Sequence, residues 1–170
     1  MNPKNYKDLI VAEGHGGKAE PKDPGKLTVF GITETYEPDW RGWVRFRQLA
    51  NSPTWMYDSE LLGLVKEHYQ GVWDRLGLDC VPYEPLSGCI FGGYVNQGPK
   101  VVRWLQEEMG LKPDKVLGPV TQQALADACR NLQGELIFLR LAKRRTEYYA
   151  ETADPLYVRG LVLRVNKGGA

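Results

Sequence analysis

Apolar residues recur at helical spacing through most of this chain, broken early by one strand-like run. Between Asn5 and Glu13 the bulky apolar positions are Tyr6, Leu9 and Ile10, a short helical stripe. Glu13 stands four residues after Leu9 and three after Ile10, so it continues that stripe at the helix end. Residues 14–26 are rich in Gly, Pro and Lys and read as a loop with turns. Leu27-Thr28-Val29-Phe30-Gly31-Ile32-Thr33 reads as a strand, with Thr28, Phe30 and Ile32 on one side. The stretch 34–53, with Trp40, Trp43 and Phe46 among Arg and Pro, predicts no more than short helical turns.

From Ser59, placed to cap it, a wide apolar face built on Leu61, Leu62, Leu64, Val65, Tyr69, Val72 and Trp73 predicts a long helix. Residues 78–85 connect it to a buried, glycine-bearing helix, Leu86–Val95. Gly98 stops that element and Pro99 opens the next, Val101–Met109, which ends at Gly110. Gly118-Pro119 announces a helix to about Cys129 with a narrow stripe of Val120, Ala124 and Ala128. Leu132, Leu136, Leu139 and Ala142 mark a further long helix, and a short one follows around Pro155–Val165. The class is mainly α with a small β hairpin near the N-terminus, in one domain spanning 1–170.

Length and composition agree with that class. The 170 residues are 42% apolar and 25% charged, with a net charge of +1, which creates no electrostatic demand for nucleic acid. The basic run Arg140, Lys143, Arg144 and Arg145 reads as the wet face of a helix, with an anionic polymer contact as the rarer alternative. Cys80, Cys89 and Cys129 are odd in number and lack ligand spacing, so reduced thiols are expected over a Cys80–Cys89 bridge. His15 and His68 also lack ligand spacing, so neither metal nor cofactor is expected. Met1–Lys7 is polar, without the apolar core of a signal peptide, and no stretch approaches the roughly 18 apolar residues of a membrane span. Synthesis in the cytoplasm is the expectation, with any action outside the cell needing separate release.

A carboxylic acid at the edge of an apolar face has a raised pKa, because burial disfavours its charged form, and can act as a general acid. On periodicity alone, a helix-end residue that bends out to solvent is the commoner reading of Glu13. Glycosidic cleavage needs such an acid beside the leaving oxygen, and a second carboxylate or a group holding water across the sugar ring. Asp23, flanked by Lys22 and Pro24, is a candidate for the second role, and so is an ordinary turn residue. The Thr28 hydroxyl can hold water or that carboxylate, or serve simply as a strand residue.

In order along the chain, Glu13-Gly14, Asp23-Pro24-Gly25 and Thr28-Val29-Phe30-Gly31-Ile32-Thr33 resemble the signature of glycoside hydrolase family 108. That signature runs E-G-G, D-P-G-G and T-x-[YF]-G-I-T. Tyr69 with Val72-Trp73 resembles its Y-x-x-Y-W segment, and Tyr94-Val95-Asn96-Gln97-Gly98 its [AV]-V-N-x-G. Leu105-Gln106, Asp114 and Leu117-Gly118-Pro119-Val120-Thr121 are similar to its L-Q…D-G-x-x-G-P-x-T, and Arg145, Tyr148, Tyr149 and Arg159–Val165 to its end. Departures also occur. His15 interrupts the paired glycines, and the interval from Glu13 to Asp23 is about one residue longer than the family's. Lys26 and Lys115 replace glycines, and Gly92 lies where an Asp is usual.

The resemblance implies a lysozyme-like, two-lobed fold. About 1–95 would form the catalytic lobe and about 96–170 a helical lobe similar to a peptidoglycan-binding region. It implies a peptidoglycan N-acetylmuramidase with the catalytic glutamate on Glu13. The second catalytic group stays open between Asp23, Glu20 and a water held by Thr28. Asn96 and Gln97 are candidates for binding sugar N-acetyl groups, and Tyr94, Trp40 and Trp43 for stacking on sugar rings, with the core an equal alternative for the tryptophans. Bacterial peptidoglycan is the expected partner of a monomer. A phage endolysin released through a holin to act in the periplasm or wall is the expected setting, delivery by a secretion system the runner-up. A lytic transglycosylase using the same Glu13, a non-catalytic wall-binding module and a secretion accessory protein are the rival functions.

Overall fold

A computed structural model describes residues 16–19, 27–49, 51–153 and 155–166. The expected Asn5–Glu13 helix lies outside them. The chain packs as two compact units that divide between Val72 and Trp73.

The first unit carries a three-stranded antiparallel sheet, β1 (Gly16–Ala19), β2 (Leu27–Val29) and β3 (Ile32–Thr33), in the order β1-β2-β3. Two of these features differ from the sequence reading. The stretch read wholly as a loop contains β1, and the run read as one strand is a hairpin that turns at Phe30-Gly31. Both turn residues have positive φ, 50° and 81°, as a two-residue type I′ hairpin turn requires. A phenylalanine in that conformation costs on the order of 1–3 kcal/mol. Burial of its side chain, 1% exposed, offsets about as much. With Phe30 in the turn, Thr28, Phe30 and Ile32 do not form one strand face.

Helix α1 (Gly42–Leu49) occupies the stretch that sequence left unassigned. It buries Trp43 and Phe46, whose flanking Arg and Gln residues hide the pattern. A 3-10 turn, Trp55–Tyr57, leads into α2 (Ser59–Leu76). Asp58, not Ser59, caps α2: its Oδ1 accepts the Leu61 backbone N–H at 2.8 Å. Trp55 sets its ring edge-on to Phe30 and Phe46, with centroids 5.5 and 5.1 Å away.

The second unit is helical among its described residues. After a 3-10 turn, Leu78–Cys80, come α3 (Glu84–Gln97), α4 (Lys100–Glu108), α5 (Pro119–Arg130), α6 (Gly134–Thr152) and α7 (Pro155–Asn166). Helix α3 is buried at every position from Leu86 to Gly93, as suits an element that is apolar all round. It packs against α4 and α6, and α6 also meets α4, α5 and α7. Helix α4 ends in a Schellman arrangement: Leu111 N–H donates to the Gln106 carbonyl at 2.8 Å and Gly110 N–H to that of Glu107 at 3.2 Å.

Two predicted stripes are rotated from the true core faces. Ala128 is buried as expected, but Val120 is exposed, and α5 also buries Thr121 and Leu125. Ala142 is likewise buried as expected, but Leu132, Leu136 and Leu139 are exposed, and α6 also buries Ile137, Leu141, Arg145 and Tyr149. Polar residues whose bonds are made inside the unit stand on both true core faces. The mainly helical class with a small N-terminal β element is the one expected, and no helix among the described residues is long and apolar enough to cross a membrane.

Candidate functional site

Glu13, Asp23 and its rival Glu20, together with His15, lie outside the described residues. Thr28 lies on β2, with Thr33 opposite it on β3. Its Oγ1 is buried and has no hydrogen-bond partner among the described residues. A hydroxyl placed this way forgoes about 1–3 kcal/mol unless something binds it. It can donate one bond and accept two, so a water or a carboxylate oxygen meets its needs.

The frame around Thr28 is stiff. Gly16 (φ 64°) faces Val29, so close that a Cβ there would stand well inside 3.0 Å of the Thr28 carbonyl oxygen. Gly17 lies against the Trp55 ring with as little room. On the other flank, the buried Tyr69 hydroxyl donates to the Phe30 carbonyl at 2.6 Å and fixes the turn. The glycine pair was visible in the sequence, but its steric reason was not. Tyr69 was visible as a core position and as part of a motif, but not as the partner of the turn.

Trp40, also in the first unit, is half-buried. Its ring stands edge-on to Trp43 at 5.0 Å and to His68 at 6.3 Å, and its Nε1 donates to the Leu64 carbonyl at 3.5 Å. Trp43 is a core residue, 1% exposed, whose Nε1 donates to the Glu37 carbonyl at 2.7 Å. Of the two, Trp40 alone keeps surface for a ligand. His68 packs edge-on to Tyr69 as well, and no group of potential metal ligands occurs among the described residues.

In the second unit, Tyr94, Asn96 and Gln97 share the last turn of α3. Exposed Asn96 donates Nδ2 to the Gly92 carbonyl at 2.9 Å. The Gln97 Oε1 accepts from Arg145 Nε at 2.9 Å, while the Gln97 Nε2 is buried without a partner among the described residues. Arg145, 1% exposed, also donates from one terminal nitrogen to the Cys89 carbonyl at 2.9 Å. This corrects the reading of the basic run as one wet face. Arg144 pairs with Glu107 and Glu108, Arg140 reaches Glu108 at 3.9 Å, and Lys143 reaches Glu147 at 3.7 Å. Only Arg145 turns inward, and spacing alone carries no signal for that.

The L-Q…D…G-P-x-T segment is scaffolding. Gln106, 1% exposed, donates Nε2 to Asp114 Oδ1 at 2.7 Å, the Val116 carbonyl at 3.0 Å and Thr121 Oγ1 at 3.0 Å. Its Oε1 accepts the Lys115 backbone N–H at 2.9 Å. Lys115 has φ 68°, the left-handed conformation that favours glycine. Bonds from the Val116 N–H and the Gln106 amide hold the Asp114 carboxyl below its usual range.

Electrostatics elsewhere serve structure. Two bonds from Arg45, at 3.0 and 2.7 Å, and one from the Leu61 N–H lower Asp58 from 3.8 to about 2. All three cysteines are free. Cys89 is buried beside Arg145, and burial pushes its thiol up.

A buried, unsatisfied threonine in a glycine-walled hairpin fits the water-holding part of a glycosidase site. The profile of the glycosyl hydrolase 108 family matches residues 6–98, more than half of the chain. The chain belongs to this family and is by family a glycoside hydrolase. Among solved structures, it is similar to SagA of Brucella abortus with a TM-score of 0.68 at 20% identity, over 98% of this chain and 90% of that one. That likeness supports the fold. A search of curated proteins returned no match.

Proposed function

We propose that the protein hydrolyses the β-1,4 bond between N-acetylmuramic acid and N-acetylglucosamine in bacterial peptidoglycan. Glu13 protonates the glycosidic oxygen as the bond to the anomeric carbon breaks. A water then adds to that carbon, held by the Thr28 hydroxyl and deprotonated by a carboxylate, Asp23 or Glu20. Trp40 and Tyr94 offer ring faces to the sugars, and Asn96 and Gln97 offer amides to their N-acetyl groups. The observation that carries the reading is the partnerless Thr28 Oγ1 within the family's T-x-[YF]-G-I-T segment. The reading extends to a phage endolysin that acts in the wall after release from the cytoplasm through a holin.

The test is turbidity loss of permeabilised Gram-negative cells with wild type and Glu13→Gln, after circular dichroism shows both folded. General acid catalysis contributes about 10²–10⁴-fold, so a loss of at least ~100-fold is expected. Equal lysis overturns the assignment of Glu13. Mass spectrometry of the products checks the chemistry: a reducing-end sugar marks hydrolysis, and a 1,6-anhydro end marks a transglycosylase.

A further inference from the structure

The Gln97 amide is held on one side and unused on the other. A guanidinium has donors only, so the amide edge that meets Arg145 Nε must be the carbonyl oxygen. The Nε2 edge is therefore turned away from Arg145, and it is the edge with no partner. Arg145 cannot readily move to change this. It is 1% exposed, its terminal nitrogen is tied to the Cys89 carbonyl, and it lies over Gly93, where a Cβ would stand 3.2 Å from its Nε. The lock thus joins the body of α3, its last turn and α6 within one compact unit. Gln97 is itself only partly buried and stands next to exposed Asn96, although its Nε2 is buried.

We infer that Arg145 is a positioning residue that fixes the Gln97 amide so that Nε2 donates a hydrogen bond to a carbonyl oxygen of the bound glycan, that of an N-acetyl group. The inference rests on the peptidoglycan reading and adds to it the direction of the bond and the residue that sets it. An unsatisfied buried donor suits an uncharged acceptor, since bonding it removes a desolvation cost without burying a second charge. A site built to bond a carbonyl also discriminates against an analogue that lacks it. Sugars stripped of the N-acetyl group carry an ammonium there, which presents donors to a donor.

Gln97→Glu tests this in the full chain. A carboxylate keeps the acceptor that Arg145 needs, so the fold is retained, and it exchanges the free donor for an acceptor. Initial rates are measured over a concentration series of sacculi, N-acetylated or chemically de-N-acetylated, with thermal unfolding in parallel. For wild type, kcat/KM is expected to be at least ~10-fold higher on N-acetylated sacculi, mainly through KM. In Gln97→Glu the ratio falls to within about twofold of one, with an unchanged unfolding midpoint. Arg145→Lys, which cannot hold Gln97 and the Cys89 carbonyl in one plane, is expected to lower the same ratio several-fold and reads it independently should Gln97→Glu unfold. A folded Gln97→Glu that retains the wild-type ratio overturns the inference while leaving the peptidoglycan reading intact. So does a wild type that cleaves both substrates equally. A wild type that cleaves neither overturns the peptidoglycan reading and this inference with it.

Discussion

Two glutamine amides in the helical unit have opposite fates. Gln106 uses both ends of its amide: Nε2 reaches three acceptors, Oε1 takes the Lys115 N–H, and the 114–116 loop is clipped to α5. Gln97 uses one end, on Arg145, and keeps the other free. Both lie in segments that resemble the family's motifs, Gln97 alone within the matched residues, so motif membership does not separate architecture from recognition. The hydrogen-bond inventory does. A satisfied buried group reports on folding, and an orphaned one in a rigid frame reports on something still to be bound. Thr28 in the sheet belongs with Gln97 by this criterion.

The largest stability effect is therefore expected at Gln106. Gln106→Leu keeps the volume, leaves the Thr121 hydroxyl only its 3.5 Å bond to the Val116 carbonyl and unties the Asp114–Val116 loop, at a cost of about 2–3 kcal/mol by urea denaturation. The specific activity of the folded fraction stays within about twofold of wild type, because this amide only holds the scaffold. A stability loss below about 0.5 kcal/mol would erase the contrast with Gln97.

Thr28→Val should behave in the opposite way. It removes a buried hydroxyl that bonds to nothing among the described residues, so stability rises, by up to the about 1–3 kcal/mol that the unmet hydroxyl forgoes. Lysis falls at least ~10-fold, because the water lost its holder. Unchanged lysis would return Thr28 to the class of ordinary strand residues.

The smallest effect is expected at Asp58, whose bonds depend on ionisation. Its folded pKa, about 2, lies below its ordinary 3.8. Its contribution is thus complete above the ordinary value and is lost as pH falls through the folded one. The midpoint gap between wild type and Asp58→Asn should be constant from about pH 5 to 7 and close between about pH 4 and 2. A gap that is the same at both ends would mean that the cap works without its charge.

Helix positions were legible in the sequence because apolar periodicity survives single exceptions, as in 59–76 and 84–97. Helix faces were less so. On α5 and α6 the exceptions are Thr121 and Arg145, polar residues that face inward because Gln106 and Gln97 meet them. A scan for apolar stripes discounts these positions and rotates the face toward Val120 and Leu139. The hairpin was hidden for a related reason. Phe30-Gly31 lacks the Asn-Gly signature of its turn type, and its left-handed phenylalanine is held by Tyr69 from 39 residues away. Of the site, Thr28 was legible by motif, whereas the guanidinium behind Gln97 required the tertiary fold.

The all-round burial of α3 has a consequence for synthesis. Its apolar surface is covered by α4, which follows at once, and by α6, which begins only at Gly134. At about 5–20 residues per second, the segment from Gln97 to Arg145 takes the ribosome several seconds. Through that interval Leu86–Gly93 has emerged without its second cover, and the Cys89 carbonyl waits for its guanidinium. The helix most protected in the finished protein is thus the one for which a nascent chain most needs a chaperone or fast folding downstream.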